Sequence, residues 1–185
     1  MFNDIFATHE DKMKKALEAL RREYSSLRAG RATPALLDKV TVDYYGTPTP
    51  VNQVANVSVP EARMITIQPW EKTMLAQIEK AILKSDLGLT PNSDGTIIRL
   101  SIPQLTKERR IELAKAIGKK AEDARVAVRN IRRDANDSIK KLEKDKVVTE
   151  DDSKKAQEDM QKITDKYIKE IDSTMATKEK EIMEV

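Results

Sequence analysis

The sequence predicts an α+β fold: an antiparallel three-helix bundle with a small β/α domain inserted into it. Three observations carry this. All seven prolines fall between residues 31 and 105. That stretch holds 14 of the 65 charged residues, seven of each sign, while the proline-free flanks hold the other 51 in 110 residues. Each flank also repeats apolar residues at three- and four-residue steps, the spacing of a one-faced helix. Proline removes a donor and clashes inside a helix, so long proline-free, charged flanks can be continuous helix. The predicted division is 1–30 plus 105–185 for the bundle and 31–104 for the insert.

The first helix is predicted from about Asn3 to Ala29, with Phe6, Met13, Leu17, Leu20, Tyr24 and Leu27 on its apolar side and Gly30 as its stop. The insert reads as strands around Val40–Tyr44, Met64–Gln68 and Ile98–Ile102 and a helix from Glu71 to Lys84. That helix turns Leu75, Ile78, Ile82 and Leu83 toward a core. YYGTPTP (44–50) and LTPNSDGT (89–96) read as turns. The second long helix opens at Thr106, a natural N-cap, with Glu108 in its first turn. Its stripe runs Leu113, Ile117, Ala121, Ala124, Val128, Ile131, Ala135, Ile139 and Leu142. Thr149 and Asp152 form a capping box that opens the third helix, with Ala156, Met160, Ile163, Tyr167, Ile171, Met175 and Ile182 facing inward. Three helices with one narrow apolar face each bury those faces against one another. The chain passes between bundle and insert twice, at Gly30 and at Gln104–Leu105, and two short crossings favour a hinge over a fixed joint.

Composition excludes several classes. No run of about 18 apolar residues exists to span a membrane. With no Cys and one His, neither a disulfide framework nor an all-protein catalytic zinc site is expected. The opening MFNDIFATHEDK carries early acids and no apolar core, so no export signal is read and the cytoplasm is the expected location. The five glycines form no phosphate-cradling loop. No Ser/His/Asp set is legible, His9 reads as a structural residue, and Glu150, Asp151 and Asp152 are accounted for by the helix dipole. The expectation is no enzyme, no catalytic residue, no metal and no cofactor.

Charge is unevenly placed. Residues 106–146 hold 14 Lys+Arg and 8 Asp+Glu, a net of +6, whereas residues 147–185 hold 7 and 11, a net of −4. At about 100° per residue, Arg110, Arg125, Arg129, Arg132 and Arg133 share an arc of about 140°. Of the nearby acids only Glu122 shares that arc. Such a strip suits a polyanion, because a guanidinium donates two parallel hydrogen bonds to phosphate. Arg28 and Arg31 bracket the end of the first helix and extend the set. The competing reading pairs some of these arginines with the acidic third helix. Aromatics are few and Tyr24 and Tyr167 sit on apolar stripes, so RNA recognition through backbone and shape is expected rather than base stacking.

Four stretches in order, RAGRATPALLD (28–38), YYGTPTP (44–50), SDLGLTPNSDGTIIRLSIP (85–103) and ARVAVRNIRRDAN (124–136), resemble the bacterial ribosome recycling factors. The resemblance covers the whole chain. It implies an L-shaped monomer that binds between the subunits of the post-termination ribosome, with its bundle on large-subunit ribosomal RNA. Elongation factor G, hydrolysing GTP, then drives the subunits apart. The resemblance carries RNA contacts onto Arg28, Arg31, Arg110, Arg129, Arg132 and Arg133, and a hinge onto Gly30. Arg125 joins the set on helical geometry alone. Two other classes remain open: a coiled-coil chaperone or adaptor using the bundle's apolar seams, and an acid–base enzyme whose pocket would join His9 or Tyr44 to carboxylates.

Overall fold

The computed structural model describes residues 2–27 and 30–183. The chain forms two compact units, Met1–Arg28 with Thr106–Glu184, and Ala29–Leu105. The first is all helix: α1 (Asn3–Ser25), α3 (Lys107–Lys144) and α4 (Glu150–Met183). The second holds six strands and α2 (Leu75–Lys84).

In the helical unit, α3 has 38 residues, roughly 57 Å at 1.5 Å per residue. Thr106 caps it by accepting from the Arg109 N–H at 3.1 Å. At its far end the Val147 N–H donates to the Leu142 carbonyl at 2.9 Å and the Lys146 N–H to that of Glu143 at 3.0 Å. This pair of bonds closes a helix C-terminus by placing one residue in the left-handed region, here Lys146 at φ 61°. The chain then reverses and α4 starts on a reciprocal cap: the Asp152 N–H donates to Thr149 Oγ1 at 3.0 Å, and the Thr149 N–H to Asp152 Oδ2 at 3.2 Å.

The core of this unit joins the three stripes. Met13, Leu17 and Leu20 of α1 are buried with Leu113, Ile117, Ala121, Val128 and Ile139 of α3, and with Ala156, Met160 and Ile171 of α4. Tyr24 is buried, and its hydroxyl donates to the Ile117 carbonyl at 2.7 Å, tying α1 to α3. Burial pushes the Tyr24 phenol up to about 12. Phe6, Leu27, Ile131 and Leu142 of the predicted stripes are only half-buried, and α4 departs further from the periodic reading. Ile163 and Met175 are half-buried, while Thr164 and Lys178 lie inside. Thr164 satisfies its hydroxyl on the Met160 carbonyl at 2.8 Å, and Lys178 donates to Glu181 and to the Leu27 carbonyl. A polar group that finds a local acceptor can occupy an inward position that its type alone argues against. α1 also ends at Ser25, short of the expected Ala29, which lies outside the described residues together with Arg28. The Ser25 and Ser26 hydroxyls donate to the Arg22 and Glu23 carbonyls, each at 2.7 Å, competing with further helix.

In the second unit β1 (Thr41–Tyr44) and β2 (Thr47–Pro50) form a hairpin around Tyr45 (φ 50°) and Gly46 (φ 85°). Two left-handed residues are what a two-residue type I′ turn requires. The expected turn segment 44–50 is therefore a turn plus a strand. Pro48 and Pro50 are tolerated because β2 pairs on one side only. A second sheet, all antiparallel, has the order β3 (Ala55–Glu61), β4 (Met64–Pro69), β6 (Ile98–Ser101), β5 (Pro91–Ser93). β3 is not legible as a strand because Val57 and Val59 are only half-buried and Pro60 follows. Ile65, Ile67, Ile98 and Leu100 pack with Ile78 and Ile82 of α2, all fully or nearly fully buried. Leu83, expected in that core, is exposed, and the expected first turn at Glu71 is instead a 3₁₀ turn, Lys72–Met74.

Candidate nucleic-acid interface

On a helix, distance around the circumference from the apolar stripe decides how far a long side chain stays wet. Measured from Arg110 at about 100° per residue, Arg132 lies at about 40°, Arg125 at about 60°, Arg129 at about 100° and Arg133 at about 140°. Val128, on the stripe, lies at about 0° on this scale. The burial follows that order. Arg110, Arg132 and Arg125 are half-buried, whereas Arg129 and Arg133 are exposed. The sequence strip is thus two rows, an outer one in solvent and an inner one along the seam with α4.

The inner row is heterogeneous. Arg125 is a correction to the expected open strip. Its side chain is 16% exposed; Nε donates to Asp172 Oδ1 of α4 at 2.8 Å, and Nη2 lies 2.7 Å from the same oxygen while donating to the Met175 sulfur at 3.6 Å. Glu122 takes its Nη1 at 3.1 Å. These two carboxylates hold the guanidinium more firmly charged than usual, against the opposing effect of burial. Arg125 is therefore committed to joining α3 to α4, as the competing reading had it. Arg132 differs: its Nη1 donates to the amide oxygen of Gln161, a neutral group. The Nε atoms of Arg110 and Arg132 and the Oδ1 of Asn136 are occluded and unpartnered among the described residues.

In the outer row Arg129 reaches Glu122 Oε1 at 3.4 Å, both side chains about half exposed, a pairing worth little in water. Arg133 meets no carboxylate among the described residues. Arg31, in the other unit, is likewise exposed without such a partner. Gly30 sits at φ 72°, where a side chain is disfavoured, and Gln104 and Leu105 carry no regular structure.

The residues weighed for other chemistry have local roles. His9 is buried and its Nδ1 lies 2.7 Å from the Ile5 carbonyl. The Tyr44 and Tyr45 hydroxyls donate to the two oxygens of Glu71 at 3.0 and 2.9 Å, and those bonds raise both phenols. Tyr45 is 77% exposed, so this is a surface clasp rather than a pocket. Among the described residues no three His, Asp or Glu side chains converge as around a metal ion, and no helix is long and apolar enough to cross a membrane. Sequence reasoning left Gln161 and Asp172 unassigned. The only signal for them was the net charge of the third helix, which does not say which residue faces which arginine.

Comparison with known proteins gives one answer. The family model described as Ribosome recycling factor matches residues 20–183. The ribosome-recycling factor of Desulfitobacterium hafniense (strain Y51) is 68% identical over 185 residues, all of both chains. That of Desulforamulus reducens is 63% identical over the same full length. A solution structure of the ribosome recycling factor superposes with a TM-score of 0.77 at 46% identity, covering 100% of this chain and 98% of the other. A second neighbour has a TM-score of 0.64 at 44% identity and 98% coverage of each chain. It comes from a description of the T. thermophilus ribosome recycling factor and E. coli elongation factor G bound to the E. coli post-termination complex. With nearly nine-tenths of its length matched and relatives aligned end to end, this chain belongs to the ribosome recycling factor family, a family of non-enzymatic translation factors.

Proposed function

We propose that this protein binds the post-termination ribosome through large-subunit ribosomal RNA, using the arginine rows of α3. With elongation factor G and GTP hydrolysis by that partner, it separates the subunits. The place of action is the cytoplasm. The observation that carries the reading is the contrast along α3. Arg132 and Arg133 meet no carboxylate among the described residues and Arg129 only an exposed one, whereas Arg125 on the same helix is mostly buried and held by two. Uncompensated arginines on a stiff helix favour phosphate, and without stacking aromatics they favour folded RNA backbone over single strands.

A division of labour follows. The long helices supply a rod that resists bending, and the second unit receives the partner's push. The two crossings, near Gly30 and Gln104–Leu105, act as the hinge that lets one unit move while the other stays anchored. Gly30 supports this through its left-handed backbone, which sets a conformation there that most residues resist. The test is binding of the full chain to purified large subunits across a salt series. About five phosphate contacts predict a log–log slope near −4. A slope near zero would instead favour an adaptor that binds protein through apolar seams.

A further inference from the structure

Arg125 and Arg132 are seven residues apart on α3 and so occupy nearly the same circumferential position. Each reaches across to α4. Arg125 meets Asp172, a carboxylate, and Arg132 meets Gln161, an amide. Gln161 does not act alone, because its Nε2 donates to Asp165 Oδ1 at 2.8 Å. The orientation of the amide is fixed by its partners. A guanidinium can only donate and a carboxylate can only accept, so the oxygen must face Arg132 and the nitrogen Asp165. Here a neutral amide stands between a cation and an anion.

We infer that Gln161 is a positioning residue for RNA binding: it aims the Arg132 guanidinium while leaving its charge uncancelled, with Asp165 holding the amide in place. This inference rests on the reading of Arg132 as an RNA contact. The placement suits the role. Arg132 and Gln161 line an open groove of about 590 Å³ between α3 and α4 together with Gln157, Lys154 and the carboxylates Glu143, Glu150 and Glu158, and among the described residues Arg132 bonds the amide and none of those carboxylates. A carboxylate in place of the amide would make a charge-assisted pair with Arg132, as Asp172 does with Arg125, and would spend the charge inside the protein.

Binding of full-length variants to large ribosomal subunits across a salt series tests this, with helical content checked by circular dichroism. Gln161→Glu is expected to lower the log–log slope by about 0.7–0.9 and the affinity at 0.1 M salt by about five- to eightfold, the contribution of one phosphate contact. Gln157→Glu adds the same charge to the same groove at a residue bonded to Ser153 rather than to Arg132. It is expected to leave the slope unchanged. Gln161→Leu is expected to weaken binding in the wild-type background and to add nothing to Arg132→Ala. Equal slope losses for the two Glu variants, or an equal loss from Gln161→Leu with and without Arg132, would overturn the positioning role. Wild-type binding by Arg132→Ala would overturn the reading of Arg132 itself, and the role of Gln161 with it.

Discussion

Two arginines of the same helix can have opposite effects on stability and binding, and the groups opposite them decide which. Arg125 is mostly buried and held by two half-exposed carboxylates, Asp172 and Glu122, so truncating it removes its packing at the helix seam along with both ion pairs. Arg125→Ala should destabilise the bundle by about 1–2 kcal/mol, seen as a lower thermal midpoint, while the salt dependence of RNA binding stays the same. Arg133 is exposed without an acidic partner among the described residues. Arg133→Ala should leave the stability within about 0.5 kcal/mol of wild type and lower the salt slope by about 0.8. The reverse assignment, with Arg133 stabilising and Arg125 binding, would refute the two-row description. Tyr24 makes a third residue-scale case. Its folded-state pKa is raised to about 12 from an ordinary value near 10. The folded protein therefore holds that proton more tightly, and the associated stability is complete below pH 10 and lost as pH climbs from 10 toward 12. Tyr24→Phe should lose stability at neutral pH, having lost the bond to the Ile117 carbonyl, yet show a shallower alkaline decline.

At the scale of elements, the local chemistry of the termini makes predictions of its own. Lys146 holds a left-handed conformation that glycine adopts without steric cost. Lys146→Gly should raise stability by about 0.5–1 kcal/mol in equilibrium unfolding, and a loss of that size would show that the lysine side chain contributes there. Asp94 sits in the turn between β5 and β6. Its Oδ1 accepts from the Ile97 and Thr96 N–H groups at 2.9 and 3.0 Å, and its Oδ2 from Arg99 at 3.0 Å. The backbone bonds, Ile97 first, hold this carboxyl far below the ordinary range. A depressed carboxylate contributes stability that is present above about pH 4 and lost as pH falls further. Asp94→Ala should therefore flatten the acid limb of thermal stability below pH 4, and an unchanged acid limb would contradict the role given to these bonds.

The same elements show what was readable from sequence. The caps at Thr106 and Thr149–Asp152 were legible because each is complete within four residues. The stripes of α1 and α3 were legible because burial against any neighbour demands the same period. β3 was not, since its inward valines are only half-covered and its pairing with β4 is a property of the sheet. Nor was the split of the arginines. Helical angle places Arg125 and Arg132 together, and only the alignment of α4 brings an acid to one and an amide to the other.

For the whole molecule, the proposed function requires a stiff helical unit that grips RNA, joined to a second unit by two short crossings. Stiffness comes from α3 and α4, 38 and 34 residues long and capped at the turn that joins them. The proposed function rests on Arg129, Arg132 and Arg133 of α3 holding ribosomal RNA by its phosphates. The most direct measurement is the salt dependence of binding to large subunits by wild type and by Arg129→Ala/Arg132→Ala/Arg133→Ala. A log–log slope near −4 is expected for wild type, falling to about −1.6 in the triple variant with helical content unchanged. Superimposable salt series from the two folded proteins would contradict it.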